Sequence, residues 1–201
     1  MAFRDHLGAA KEEPAPTSLI HGMWEHSRAS NHDLTLFTNI PETPGQRAAV
    51  NILTRDRLCE SIGISPEEYI DTLGWAMNNP SEPVIVDASE AECFENLQEV
   101  VDITKLPIPP HWPQDRGRYS PASVIIAQDA GIRNMSFHRQ LLRDKNHLVV
   151  RLVPRHLHSM TSEARSRGEE VKIAIINAPD PVVLLAGAMS FDSNIDELTI
   201  A

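Results

Sequence analysis

The sequence predicts an α+β protein in two parts, an N-terminal α/β layer followed by a small strand-rich barrel. Strand-like and helix-like runs alternate through residues 33–89, the rhythm of an α/β layer. A proline-rich stretch, VVDITKLPIPPHWPQDRGRYS (100–120), breaks that rhythm and reads as an ordered linker. Beyond it, short β-rich runs are interrupted by two helical ones, which suits a barrel better than a doubly wound sheet. The expected domains are residues 1–105 and 106–201.

Each element has its own justification. Residues 1–10 read as a short helix, and KEEPAP after them as a loop. DLTLFTN (33–39) alternates apolar and polar positions like a half-buried strand. IPETPGQ is a loop, and AVNILT (49–54) a strand. TRDRLCESIGI (54–64) is helical and closes at Gly63. SPEEYIDTLGWAM (65–77) opens a further helix, with Ser65 as cap, Pro66 in the first position and acids in the first turn. PVIVDAS (83–89) reads as a strand. In the second half the strands are 122–129, 133–142, 147–153 and 171–178. Helices are expected at 158–168, stopped by Gly168, and at 180–189.

Composition narrows the function. The 201 residues are 41% hydrophobic, enough to bury a core. A net charge of −10 argues against general binding to nucleic acid or to an anionic membrane. Cys59 and Cys93 make neither a disulfide framework nor a zinc spacing. The N-terminus lacks a signal-peptide core, and no apolar run approaches the ~20 residues of a membrane span. The expected location is the cytoplasm. Walker, GxGxxG, HExxH and nucleophile-elbow motifs are absent.

Against that acidity, residues 133–156 (RNMSFHRQLLRDKNHLVVRLVPRH) gather five arginines, Lys145 and three histidines. In a strand, Asn134, Ser136 and His138 face one way, and Met135, Phe137 and Arg139 the other. A bulge there would re-aim any of them. A hairpin through RDKNH brings Arg151, Arg155 and His156 towards the same region. Such donors suit an anion, with Arg giving bidentate phosphate contacts; a solvated sheet face is the other reading. Asn134, His156 and Glu197 are types that suit Mn²⁺ or Mg²⁺, though no spacing links them. His111 and Trp112 stand between prolines in a stiff loop, and Asp115, Arg116 and Arg118 read as an exposed charge cluster.

LPIPPHWPQDRGRYSPASVIIAQD, RNMSFHR and NAPDPVVLLAGAMSFDSNIDELTIA together resemble the UbiD family of prenylated-FMN-dependent decarboxylases. The resemblance is strong from about residue 102 to 201 and weak before it. VPRH and DELTIA look most like the archaeal branch, which includes decarboxylases of trans-anhydromevalonate 5-phosphate. The resemblance implies a split β-barrel flavin-binding domain, present here in part. It implies that Ser136, Phe137, His138, Arg139, Arg151, Leu152, Val153, Arg155, Met189 and Ser190 line the prenylated FMN. It also implies that Asn134, His156 and Glu197 hold Mn²⁺ or Mg²⁺ beside the flavin phosphate, with K⁺ as a further ion. Arg139 becomes the catalytic arginine that orients the substrate carboxylate.

Loss of CO₂ from an α,β-unsaturated acid leaves electrons on a vinylic carbon, and a cofactor must accept them. The implied reaction gives isopentenyl phosphate in the archaeal mevalonate route. An aromatic-acid decarboxylase of quinone biosynthesis, or a non-catalytic flavin- or metal-binding subunit, are the other readings. The implied partners are an unsaturated or aromatic carboxylic acid, a flavin prenyltransferase that supplies the cofactor, and further copies of the chain. Family members are much longer, and their proton-donating acid lies beyond the position of Ala201. The expectation is therefore a piece of a longer chain, or a subunit whose site is completed by another.

Overall fold

The structure, a computed structural model, describes residues 3–192 and 195–201, without the side chains of Phe3, Arg4 and His6. Phe3–Ala9 is a 3₁₀ helix; the first two residues of the expected helix lie outside the described ones. Three strands follow: β1 (Lys11–Glu13), β2 (Thr35–Phe37) and β3 (Ala48–Val50). They form one sheet in that order, parallel then antiparallel. Between β1 and β2 lies α1 (Gly22–Ala29), which places Met23 against Leu19, Phe37 and Ile40 in a first core. β1 and α1 were not expected; α1 enters through His21 at a φ of 65° with no side-chain cap, so no capping signature marks it.

α2 (Arg55–Ser61) starts at Thr54, whose hydroxyl accepts the Arg57 N–H, and Gly63 follows it at a φ of 72°. α3 (Tyr69–Asn78) starts three residues later than a cap at Ser65 suggested. The Glu68 side chain accepts the Ser65 N–H at 2.8 Å, so SPEE closes into a turn before the helix begins. α3 buries no residue, and Trp75 is exposed. The expected strand 83–89 does not form: Val84 and Ile85 are 88% and 90% exposed. A strand needs a neighbour to take its backbone groups, and none lies alongside among the described residues. Glu67 to Asp102 holds ten carboxylates and no Lys or Arg. Removing those ten from the 28 acids leaves 18, matching the 18 Lys and Arg, so this exposed segment carries the whole net charge.

The second half forms two further sheets. β4 (Tyr119–Ser120), β7 (Gln140–Leu142) and β8 (Leu148–Val150) make one, with β7 and β8 joined by the expected hairpin. β5 (Val124–Asp129), β6 (Ile132–Phe137) and β9 (Ile173–Ile176) make the other, in the order β6-β5-β9. Neither sheet closes on itself among the described residues. The single strand expected over 133–142 is two, broken at His138 and Arg139, and each half serves a different sheet.

Ala130 and Gly131 both hold positive φ, 47° and 83°. That pair makes the two-residue turn whose twist matches a hairpin, and it sets Asn134 opposite Ala127. The central sheet is buried on both faces. Val124 and Met135 pack with Leu184 and Ala186 of α5 (Pro181–Ala188). Ile125 and Ala127 pack with Leu157 and Met160 of α4 (His156–Ser166). Each such large side chain contributes about 2 kcal/mol by leaving water. α5 starts with Pro181 after Asp180, whose carboxylate accepts the Val182 N–H at 2.9 Å. α4 stops before Gly168, at a φ of 74°.

Candidate cofactor and metal site

β6 lies at the edge of its sheet, so alternate N–H groups point away from β5. Glu197 fills that gap. It opens a short 3₁₀ turn, Glu197–Thr199, and its Oε2 accepts the Met135 N–H at 2.8 Å. Its Oε1 accepts from Asn134 Nδ2, also at 2.8 Å. His156, first residue of α4, brings Nδ1 to 3.4 Å from Asn134 Nδ2 and 4.0 Å from Glu197 Oε1. Asn134 and Glu197 are 4% and 2% exposed. The three expected metal residues, 63 positions apart at the extremes, therefore meet.

The chain of contacts continues along one face of β6, as the alternation predicted. Ser136 Oγ lies 3.1 Å from Asn134 Oδ1 and 3.0 Å from His138 Nε2. Burial holds the His138 pKa below the usual histidine value, and the Arg151 backbone opposes that shift. On the opposite face Met135 and Phe137 enter the core under α5. Leu152 packs against the core under α4.

The remaining expected residues lie around this network without bonding to it. Arg139 is exposed and makes no hydrogen bond or ion pair among the described residues. Val153, Arg155 and Ser190 are exposed, and Met189 is half-buried. The proline loop comes close: the Arg139 charge acts on His111 and Asp115. Asp115 Oδ2 accepts the N–H groups of His111 and Trp112 at 3.0 and 2.9 Å, and Trp112 packs edge-on to Trp24 at 4.6 Å.

Two features escaped the sequence reading. Arg133 Nε donates to Asp196 Oδ2 at 2.7 Å, and Nη2 reaches the same oxygen. Its signal was visible, since a base and an acid each precede a candidate ligand. Arg118, expected in an exposed cluster, instead donates to three carbonyls: Ile108 at 2.7 Å, Thr104 at 2.9 Å and Leu106 at 2.5 Å. A guanidinium fans out enough donors to gather a folded loop.

The donor set suits a hard divalent cation. No three His, Cys, Asp or Glu side chains converge among the described residues, so the amide of Asn134 is needed to complete the group. Glu197 is a buried carboxylate met by neutral donors from Asn134 and Met135. Such a charge is stabilised by a cation. Among the described residues no helix is long and apolar enough to cross a membrane.

Comparison with known proteins agrees with this architecture. Residues 84–201 match the family model described as the UbiD 3-octaprenyl-4-hydroxybenzoate carboxy-lyase Rift-related domain. An anhydromevalonate phosphate decarboxylase of Methanothermobacter thermautotrophicus is 33% identical over 88% of this chain and 40% of its own length. That of Archaeoglobus fulgidus is 42% identical over 72% of this chain and 34% of its own. The UbiD-class enzyme HmfF from Pelotomaculum thermopropionicum, an evolved dimeric form in complex with prFMN, superposes with a TM-score of 0.92 at 25% identity. The alignment covers 99% of this chain and 49% of that one. The chain thus spans less than half the length of the relatives it matches. The family model covers more than half of the chain, and the chain belongs to the UbiD family.

Proposed function

We propose that this chain forms the prenylated-FMN and metal-binding part of a non-oxidative decarboxylase. Its substrate in this reading is trans-anhydromevalonate 5-phosphate, and its product isopentenyl phosphate. One observation carries the reading: Asn134, His156 and Glu197 converge on a buried carboxylate in need of a cation. The substrate follows the archaeal relatives. The flavin follows HmfF, and oligomer formation follows the dimeric state given for that enzyme.

Asn134, His156 and Glu197 would hold Mn²⁺ or Mg²⁺, with K⁺ as a further ion, against the flavin phosphate. Ser136, His138 and the segment Arg151, Leu152, Val153, Arg155 would flank the flavin, with Met189 and Ser190 beside it. Phe137 and Leu152 have their side chains committed to the two cores, so their contribution is through backbone. When bound, the prenylated flavin accepts the electrons released as CO₂ departs. Arg139 is free to orient a carboxylate through charge-assisted hydrogen bonds. Arg118 is committed to its own loop, because each of its three guanidinium nitrogens already donates to a backbone carbonyl. A flavin prenyltransferase would supply the cofactor, and the cytoplasm is the proposed location.

The test is reconstitution with prenylated FMN and Mn²⁺, followed by CO₂ release from trans-anhydromevalonate 5-phosphate and from 4-hydroxybenzoate. Arg139→Ala should retain flavin and lose turnover by about 10²–10³-fold, the scale for deleting one charge-stabilising donor. A protein that retains no flavin would overturn the reading. Intact mass of the native polypeptide tells whether the proton-donating acid is on the same chain.

A further inference from the structure

The sheet β6-β5-β9 has two edges, and they differ. Glu197 meets the β6 edge through the Met135 N–H. At the other edge, Ile173–Ile176 of β9 takes hydrogen bonds from β5 alone among the described residues. Ile173 is 46% exposed there. Such an edge offers its outward N–H and C=O groups to a further strand. The chain also holds a run with no sheet. Val84, Ile85 and Val86 are exposed and make no backbone hydrogen bond among the described residues. Pro83, which has no N–H to leave unmet, stands where a strand tolerates proline, at its start. Val84–Asp87 and β9 are both four residues long.

The run and the open edge do not meet within one chain. The Ser81 N–H donates to the Thr199 carbonyl at 2.8 Å, in the turn that Glu197 opens beside β6. From that turn to the far side of β9 is four strand spacings, about 19 Å. Val84, three residues from Ser81, reaches about 10 Å. A second copy's β9 has no such limit, and its charges suit the run. Lys172 precedes β9, and Arg165 lines a groove of about 560 Å³ with Val171, Glu169 and Glu170. Among the described residues neither base has an ion pair, whereas Glu169 already accepts from Arg167 at 2.7 Å. The run carries Glu82 and Asp87, and Glu90 follows in the next turn.

We propose that Val84–Asp87 of one copy adds as an antiparallel strand to the β9 edge of a second copy, and that two copies exchange these strands. Main-chain hydrogen bonds supply the attachment and the flanking charges set its register. Val86 then lies opposite Ala174 and Asp87 opposite Ile173, next to Lys172. The turn after Asp87 enters the groove and carries Glu90 towards Arg165. Two reciprocal contacts close the pair under two-fold symmetry. The inference is independent of the cofactor and cation reading above.

The test is sedimentation equilibrium of the purified chain, followed by cross-linking. The wild-type chain should be a dimer at micromolar concentration. Asp87→Lys and Lys172→Glu should each weaken the dimer about tenfold, as an attraction becomes a repulsion at both contacts. The two changes in one chain should restore it. Val86→Cys and Ala174→Cys, each with Cys93→Ser, alter exposed positions and spare the core. With an added oxidant, the two variants mixed should give a disulfide-linked pair that neither gives alone. A monomeric wild-type chain would overturn the proposal. So would a dimer that the charge reversals leave unchanged, or one in which the mixed cysteines do not link.

Discussion

Arg133 donates to Asp196 at 2.7 Å, one residue ahead of the 2.8 Å contact between Asn134 and Glu197. The two contacts run in step, so the ion pair presents Glu197 to the edge of β6. Asp196 Oδ1 separately accepts the Leu198 N–H at 3.0 Å. Asp196→Asn keeps an oxygen for that cap and removes the charge. It should destabilise the protein by about 1 kcal/mol, the scale of a partly exposed pair, and weaken divalent-cation binding by loosening Glu197. Urea unfolding of Asp196→Asn, Arg133→Gln and the double variant checks this. Additive losses in the double variant would refute the pairing.

Arg118 folds the proline-rich segment back on itself through three carbonyls. Arg118→Ala leaves half-buried acceptors unmet and should cost about 2–3 kcal/mol. Arg118→Lys should recover only part of this, because an ammonium cannot spread to all three carbonyls. Equal stability of the Lys variant and the wild type in denaturant unfolding would contradict the geometry.

Burial holds the His111 imidazole below its usual pKa; Asp115 opposes the shift and Arg139 adds to it. In the unfolded chain the ring takes its proton near pH ~6.5. The folded-state pKa is the lower one, so the unfolded chain binds that proton first as pH falls. Stability from the neutral ring is present above about pH 6.5 and is lost as pH falls through that value towards the folded pKa. His111→Gln should therefore flatten the decline in stability between pH 7.5 and 5.5. Parallel profiles for the two proteins would rule the attribution out.

Much of the site was legible in the sequence, and the reasons differ by residue. The alternation placing Asn134, Ser136 and His138 on one side holds because Met135 and Phe137 bury the other. The meeting of Asn134 with Glu197 was not legible from spacing and came through resemblance, since the chain returns to β6 only after α5. Residues 83–89 have the composition of a strand but no neighbouring ladder. Ser65 looked like a cap, yet Glu68 captured its N–H first. Arg118 looked exposed because nothing in one dimension reveals three carbonyls curled around it.

The hairpin turn offers a local test. Ala130 sits at a φ of 47°, where a Cβ is strained, and Gly131 follows. Ala130→Asn introduces a residue that tolerates this region and favours the two-residue turn. It should raise stability by about 0.5–1 kcal/mol without changing the register, since Asn134 stays opposite Ala127. Deleting Ala130 should shift the register by one and carry Asn134 to the opposite face. Thermal unfolding separates the first outcome from no effect, and cation binding reports the second.

Val84, Ile85 and Val86 form an exposed β-prone run of the kind that recruits the edges of other molecules. Glu82 and Asp87 bracket it, within a segment that has no base to neutralise them. Stacking such runs in register would align like charges every ~4.8 Å. The segment's acidity therefore acts as a gatekeeper against self-templated fibres. Ser89 donates from its hydroxyl and its N–H to Asp87, holding that carboxyl below its usual pKa, so this flank of the run stays charged into mildly acidic media.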